Sequence, residues 1–327
     1  MILIAGLGSI GRRHLRILQE LGETEILLFR TGLSTLPDEG LAGIPVVFNL
    51  NEALAHNPEA VIVSNPTALH LDVAIPAAQQ GCHILLEKPI SDSLNRIADL
   101  REALNVGGGG LLVGYHYRFH PGLQLVRSFI ENEEIGKPIY ARVQWGEYLP
   151  DWHPWEDYRR GYSARADLGG GVVLTLSHPF DYLRWLMGEI VEVVATTDRL
   201  GDLGIDVEDS AEVILRFECG ALGSLHLNYN QRPPRHDFEI VGSQGSIRWD
   251  YYGKVTRIYR LDRGDWETLP LPESFERDDL YRAQMRHFLR VCRQQESPQC
   301  TLEDGVRALE LALAVYKSQQ IGAWIRL

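Results

Sequence analysis

This chain of 327 residues has little of what would place it in a membrane, on a nucleic acid or in a disulfide-stapled fold. No apolar run approaches the length that crosses a bilayer, and Met1 leads directly into a strand-like segment that leaves no room for a cleavable leader. The expected location is the cytoplasm. Four cysteines, Cys82, Cys219, Cys292 and Cys300, lack C-x-x-C spacing and read as reduced thiols. Lys plus Arg total 32 against 44 Asp plus Glu, and the resulting formal charge of -12 repels nucleic-acid backbones and anionic lipid alike. H-E-x-x-H and comparable spacings are missing too, and the pair Asp151 and His153 is too sparse to hold a metal. No metal is expected.

What remains is an ordinary globular composition, 45% apolar and 23% charged, on a chain long enough for two domains. Its first residues are the most informative. Ile2-Leu3-Ile4-Ala5 reads as a buried strand, followed by Gly6-Leu7-Gly8-Ser9-Ile10-Gly11 and a helix-compatible segment. This order suits a dinucleotide: Gly6 for the tight turn, Gly8 for close approach to a diphosphate, Gly11 for helix-strand packing, and a helix N-terminus aimed at the phosphates. Strand and helix then alternate: strand at 25–29, helix at 51–56, strand at 60–64, helix at 70–80, strand at 82–86, helix at 91–104 and strand at 111–114. That alternation predicts a parallel sheet covered on both faces. Ser91 is the expected cap of the helix that follows it, Pro76 should kink the helix that contains it, and Gly107 to Gly110 read as a flexible connection.

Beyond Phe119 strands follow strands, at 140–145, 190–197, 210–217, 221–229, 238–241 and 246–249, which predicts a mainly antiparallel sheet. The expected fold class is therefore α/β, with domains 1–119 and 120–327 joined through Arg118-Phe119-His120-Pro121. A cleft between them is the natural substrate site. Gly242-Ser243-Gln244-Gly245 reads as a hairpin turn. Thr301 caps a tail helix whose Leu302, Val306, Leu309, Leu313 and Tyr316 share one face and pack back on the body.

The second strand ends in Arg30-Thr31, where an NAD-selective fold usually has a carboxylate for the ribose hydroxyls. The guanidinium matches a 2'-phosphate and favours NADP over NAD; stacking on adenine, which would accept either cofactor, is the other reading. Asn65-Pro66 and His70 follow the next strand, and Glu87-Lys88-Pro89 ends the one after, on the sheet edge where such folds bind ligands.

Taken together, the glycine turn, Asn65-Pro66-Thr67 with His70, Glu87-Lys88-Pro89, Gly169-Gly170-Gly171 with His178 and Asp181, and Leu302-Glu303-Asp304-Gly305 resemble the Gfo/Idh/MocA family (glucose-fructose oxidoreductase, inositol dehydrogenase, rhizopine catabolism). The resemblance covers nearly the whole chain. It implies a Rossmann domain, a second α/β domain with a large open sheet that mediates homo-oligomers, and hydride transfer between a nicotinamide cofactor and a sugar, polyol or sugar derivative. Lys88 would hydrogen-bond the reacting oxygen, with a cis bond before Pro89, and His178 would be the acid/base. Gly6, Gly8, Ser9, Ile10, Gly11, Arg30, Thr31, Asn65, Pro66, His70, Glu87 and Lys88 would line the cofactor, with Glu87 orienting rather than reacting.

Four residues before His178, where inositol-type members carry an aspartate, stands Leu174, followed by Thr175. Two other readings therefore stay open: a glycosidase or lyase that retains its cofactor and oxidises transiently, and a non-catalytic sensor. The aromatic and charged stretch 147–160 suits a carbohydrate or a subunit contact. Trp152, Trp155, Tyr158, Arg165, Thr175 and Asp181 are its candidate substrate residues or lie near the histidine. Arg159, Arg160, Arg165, Arg232, Arg235 and His236 would suit an acidic or nucleotide-linked sugar if they converge, and are ordinary surface groups if they scatter.

Overall fold

The computed structural model describes residues 1–32, 41 and 43–327. Among them the chain divides into two compact units, each assembled from three stretches: Met1–His116, Arg160–Gly170 and Arg277–Leu309 in the first, Tyr117–Arg159, Gly171–Glu276 and Glu310–Leu327 in the second. The single cut expected at residue 119 thus becomes an interleaved division. Nothing in the composition of residues 160–170 or 277–309 announces which core they join.

The first unit holds β1 (Ile2–Ala5), α1 (Ser9–Glu20), β2 (Ile26–Phe29), β3 (Val46–Val47), α2 (Leu50–Ala55), β4 (Ala60–Val63), α3 (His70–Gln79), β5 (His83–Leu86), α4 (Ile97–Gly107) and β6 (Leu111–Val113). Its strands form one sheet in the order β3-β2-β1-β4-β5-β6. Every pairing is parallel, with Leu3 registered between Leu27 and Val61. This is the Rossmann order. The strands read as unbroken apolar runs because both faces are covered; β1 and β4 are buried throughout. Asn49 caps α2, its Oδ1 accepting from the amides of Asn51 at 2.8 Å and Glu52 at 3.2 Å.

Two local expectations are corrected here. The fourth helix starts at Ile97 rather than Ser91, after Arg96 in the left-handed region at φ 65°. The glycines 107–110 are not a flexible spacer. A Cβ on Gly107 would overlap the carbonyl of Ala78 and one on Gly109 that of Cys82, so close backbone contact with the end of α3 and the start of β5 requires them.

The second unit begins with α5 (Pro121–Glu131) and β7 (Pro138–Tyr148), then α6 (Val172–Thr175), α7 (His178–Met187), β8 (Ile190–Asp198), β9 (Ser210–Phe217), β10 (Leu222–Asn228), β11 (Asn230–Gly242), β12 (Gly245–Asp250), β13 (Val255–Arg260) and β14 (Asp265–Pro270). The chain ends with α8 (Arg277–Cys292) in the first unit, α9 (Leu302–Ile321) and β15 (Ile325–Arg326). The second sheet runs β14-β13-β12-β11-β7-β10-β9-β8-β15, antiparallel except for the pairing of β7 with β10.

Along β9, Ala211, Val213, Leu215 and Phe217 are buried while Glu212, Ile214 and Arg216 alternate outward, the period of a sheet covered on one face. The β11–β12 hairpin closes with Gly242 opposite Gly245, as expected. Thr301 caps α9 as expected: its Oγ1 accepts from the Asp304 amide at 3.2 Å and the Asp304 carboxylate accepts from the Thr301 amide at 2.9 Å.

Candidate functional site

In the first unit the C-terminal ends of β1, β4 and β5 lie along one edge of the parallel sheet, and the loops that leave them carry most of the chemistry. Gly6 has φ 93°, and a Cβ there would sit 2.5 Å from the Asn65 amide nitrogen, so the turns after β1 and β4 touch only because Gly6 lacks one. A Cβ on Gly11 would overlap the Gly6 carbonyl. Gly8 differs: nothing lies within 4 Å of its Cβ position. The chain itself therefore makes no steric demand for glycine at Gly8, whereas a closely approaching ligand would.

Around the turn, Ser64 Oγ donates to the Gly6 carbonyl at 2.9 Å and Arg12 Nε to the Leu7 carbonyl at 3.2 Å. Gly8 stands at the N-cap of α1 with no side-chain cap, so the first-turn amides beside Ser9 and Ile10 are left for an anion. These residues fit the diphosphate of a dinucleotide. Arg30 and the exposed Thr31 follow β2, with the Arg30 amide bound to the Val47 carbonyl at 3.1 Å.

The next loop is tied by its own side chains. Asn65 Nδ2 donates to the Leu69 carbonyl at 2.8 Å across the 3₁₀ turn that Pro66 introduces. His70 is buried, with Nδ1 at 2.9 Å from the Pro89 carbonyl and Nε2 at 3.0 Å from the Asn65 carbonyl. Both ring nitrogens face chain carbonyls, and the imidazole lies between the loop after β4 and the loop after β5.

Glu87 is likewise held by the chain itself. Its Oε1 accepts from His14 Nε2 at 2.8 Å and its Oε2 lies 3.3 Å from the Lys88 amide, inside the protein. A Cβ on Gly114 would stand 2.9 Å from that Oε2, so the glycine makes room for the carboxylate. Burial pushes the Glu87 carboxyl up, but the hydrogen bond and charge of His14, with the charges of Lys88 and His70, bring it below its ordinary range. The Lys88–Pro89 bond is cis. His116 stacks on Tyr281 of α8 at 4.4 Å, and burial, then the charges of Arg277, Lys88, Arg13 and His14, hold its imidazole well below the usual range. His14 went unnoticed in the sequence; the signal was a polar residue three positions after Gly11 on the apolar face of α1.

In the second unit, His178 is the first residue of α7, buried, with its ring edge-on to Tyr117 at 4.7 Å and tilted to Trp145 at 5.7 Å. Thr175 and Leu174 are buried in the short α6 before it. Gly171, at φ 103°, lies where a Cβ would overlap the Glu208 carboxylate. Asp181, expected near substrate, is 1% exposed and accepts two hydrogen bonds from Arg118.

Trp152 meets Tyr229 edge-on at 5.5 Å, Trp155 is 68% exposed, and Tyr158 donates to the Leu203 carbonyl at 2.7 Å. Arg165 pairs with Asp167 and Arg235 with Asp237, Arg159 lies over Tyr158, and His236 stacks on Trp145 in the buried aromatic core. Arg232 lies over the Tyr148 ring at 3.7 Å, beside a cavity of about 360 Å³ lined also by Asn228 and Asn230. No helix among the described residues is long and apolar enough to cross a membrane.

Two family descriptions match the chain: the oxidoreductase family with NAD-binding Rossmann fold over residues 1–115, and the GFO/IDH/MocA C-terminal domain over residues 123–248. The chain is 29% identical to myo-inositol 2-dehydrogenase of Thermotoga maritima, covering 96% of this chain and 95% of that protein. It is 30% identical to an uncharacterized oxidoreductase, YrbE, of Bacillus subtilis, over 82% and 79%. The structure of the WlbA dehydrogenase from Bordetella pertussis in complex with NADH and UDP-GlcNAcA is similar, with a TM-score of 0.84 at 25% identity over 100% of this chain and 97% of that one.

Proposed function

This chain belongs to the GFO/IDH/MocA oxidoreductase family, and from that premise we propose that it transfers hydride between NADP(H) and a CH–OH group of a sugar, polyol or sugar derivative. The observation that carries the reading lies within the first unit: Lys88 leaves β5 on the same sheet edge where the glycine turn leaves β1. A phosphate-binding turn and a lysine on one edge suit a nicotinamide enzyme acting on an oxygen.

When bound, the nicotinamide accepts or returns the hydride. The Lys88 ammonium steadies negative charge on the reacting oxygen, and an unprotonated His178 takes the hydroxyl proton as the C–H hydride leaves, so that a carbonyl forms; reduction runs the same steps backward. With Leu174 four residues before it, proton transfer falls to His178. The guanidinium of Arg30, in a position without a carboxylate, favours the 2'-phosphate. Trp152, Trp155, Tyr158 and Thr175 are the residues assigned to the carbohydrate, and the pairing of Arg165 with Asp167 and of Arg235 with Asp237 favours a neutral substrate over an acidic one. Exposed Ile214 and Leu222 on the open face of β9 and β10 support a homo-oligomer formed through that face.

The test is turnover of inositols, aldoses, uronic acids and nucleotide-linked sugars with free NADP+ and NAD+, followed by reduction of the matching ketones. Substrate-dependent reduction of exchangeable cofactor, lost in Lys88→Met, is the expected result. Cleavage of a glycosidic bond with no net redox change, or binding without turnover in either direction, would overturn it.

A further inference from the structure

We propose that His14 is a positioning residue for Lys88, acting through the buried carboxylate of Glu87. The importance of this arrangement rests on the role given to Lys88 above. The geometry stands by itself. The His14 side chain is fully buried, and its Nδ1 has no hydrogen-bond partner among the described residues while Nε2 faces Glu87 Oε1 at 2.8 Å. Nε2 therefore carries a proton, which it donates to the carboxylate. The other carboxylate oxygen is turned to the Lys88 peptide, and Gly114 leaves space for it. One helix thus carries both the turn that meets a diphosphate and the imidazole that sets the loop of the reacting lysine.

The groups around the carboxylate come from several elements: His14 from α1, His70 from α3, Lys88 beside it, and the half-buried Tyr162, whose hydroxyl desolvation and then the Glu87 charge hold above its usual range. Tyr281 of α8 lies edge-on to His14 at 6.1 Å and stacks on His116. If the His14 donor is removed, burial dominates and Glu87 takes up a proton at higher pH, which removes the charge beside Lys88 and releases the peptide it holds.

The lysines of the chain are Lys88, Lys137, Lys254 and Lys317, so a protein labelled with 13C at lysine Cε gives few signals, and Lys88→Met assigns the one needed. The pH profile of the Lys88 signal reports Glu87 as an acid-side inflection. In His14→Leu this inflection should move up by about one pH unit or more; in His14→Gln, which keeps an N–H donor, it should stay near the wild-type position; in Glu87→Gln it should vanish. His14→Ala replaces His14→Leu if the latter does not fold. The acid limb of turnover should move with the inflection.

An unmoved inflection in the donor-free variants, or one that survives in Glu87→Gln, overturns the proposal. Turnover retained in Lys88→Met would instead overturn the role of Lys88 in the reaction, and the spectroscopic result would still decide whether His14 acts through Glu87.

Discussion

Arg118 grips Asp181 by two parallel hydrogen bonds, Nη2 to Oδ1 at 2.6 Å and Nε to Oδ2 at 3.0 Å, with both side chains buried. The pair fixes the first turn of α7, three residues after His178, to the segment that precedes α5. Asp181→Ala removes the carboxylate that accepts both of these guanidinium hydrogen bonds inside the protein, and should cost about 3–5 kcal/mol in urea unfolding. Any loss of activity should follow loss of fold: under conditions where the variant remains folded, KM for substrate should be unchanged. A large KM rise at full folding would return Asp181 to the substrate site.

Gly8 and Gly11 should separate binding from stability. Gly8 has an ordinary φ of -68° and open space at its Cβ, so Gly8→Ala should cost about 1 kcal/mol or less, as a changed N-cap, yet weaken cofactor binding about tenfold or more. Gly11→Ala should instead destabilise by about 1–3 kcal/mol, because its methyl meets the Gly6 carbonyl. Thermal melts with and without NADPH distinguish the two.

Titration of NADPH and NADH in parallel tests Arg30. Arg30→Ala should lower NADPH affinity by about 1.5–3 kcal/mol, the value of a hydrogen bond to a charged group, and leave NADH nearly unchanged. Equal affinities, both unmoved by the substitution, would remove the 2'-phosphate preference.

His120 gives the fold an acid sensitivity. It caps α5 by accepting from the Gly122 amide at Nδ1, 3.0 Å away, and burial brings its imidazole down to about 3 from 6.5. The unfolded chain binds this proton first. The stability is therefore complete above about pH 6.5 and is lost as pH falls toward 3, by up to about 1.4 kcal/mol per pH unit. His120→Asn keeps an acceptor for Gly122 without titrating, so its urea midpoint should fall less steeply between about pH 6.5 and 4. Buried His70, His116 and His236 are lowered in the same direction and keep the remaining slope positive.

Much of the scaffold was legible because the signals were local. The turn from Gly6 to Gly11, the Thr301 cap and the hairpin at Gly242 each depend on residues a few positions apart. Long-range contacts were not legible. Gly107 and Gly109 resemble a spacer until the carbonyls of Ala78 and Cys82 stand against them, and Ser91 resembles a cap until the chain runs on to Arg96. The helix 277–292 opens with Arg277, Asp278 and Asp279 and hides its apolar face among charges. At the site, Lys88 and the glycines were found from motif and order, whereas the partners of Glu87 and Asp181, His14 and Arg118, lie tens of residues away.

The interleaving of the two units bears on synthesis. Asp278 pairs with Arg13 at 2.9 Å and Arg16 at 2.5 Å, and Arg282 with Glu20 at 2.8 Å, so the outer side of α1 is completed by a helix that begins at Arg277. A ribosome must therefore translate most of the message before the nucleotide-binding half is whole, and a clone ending near residue 119 would yield a sheet stripped of one of its coverings.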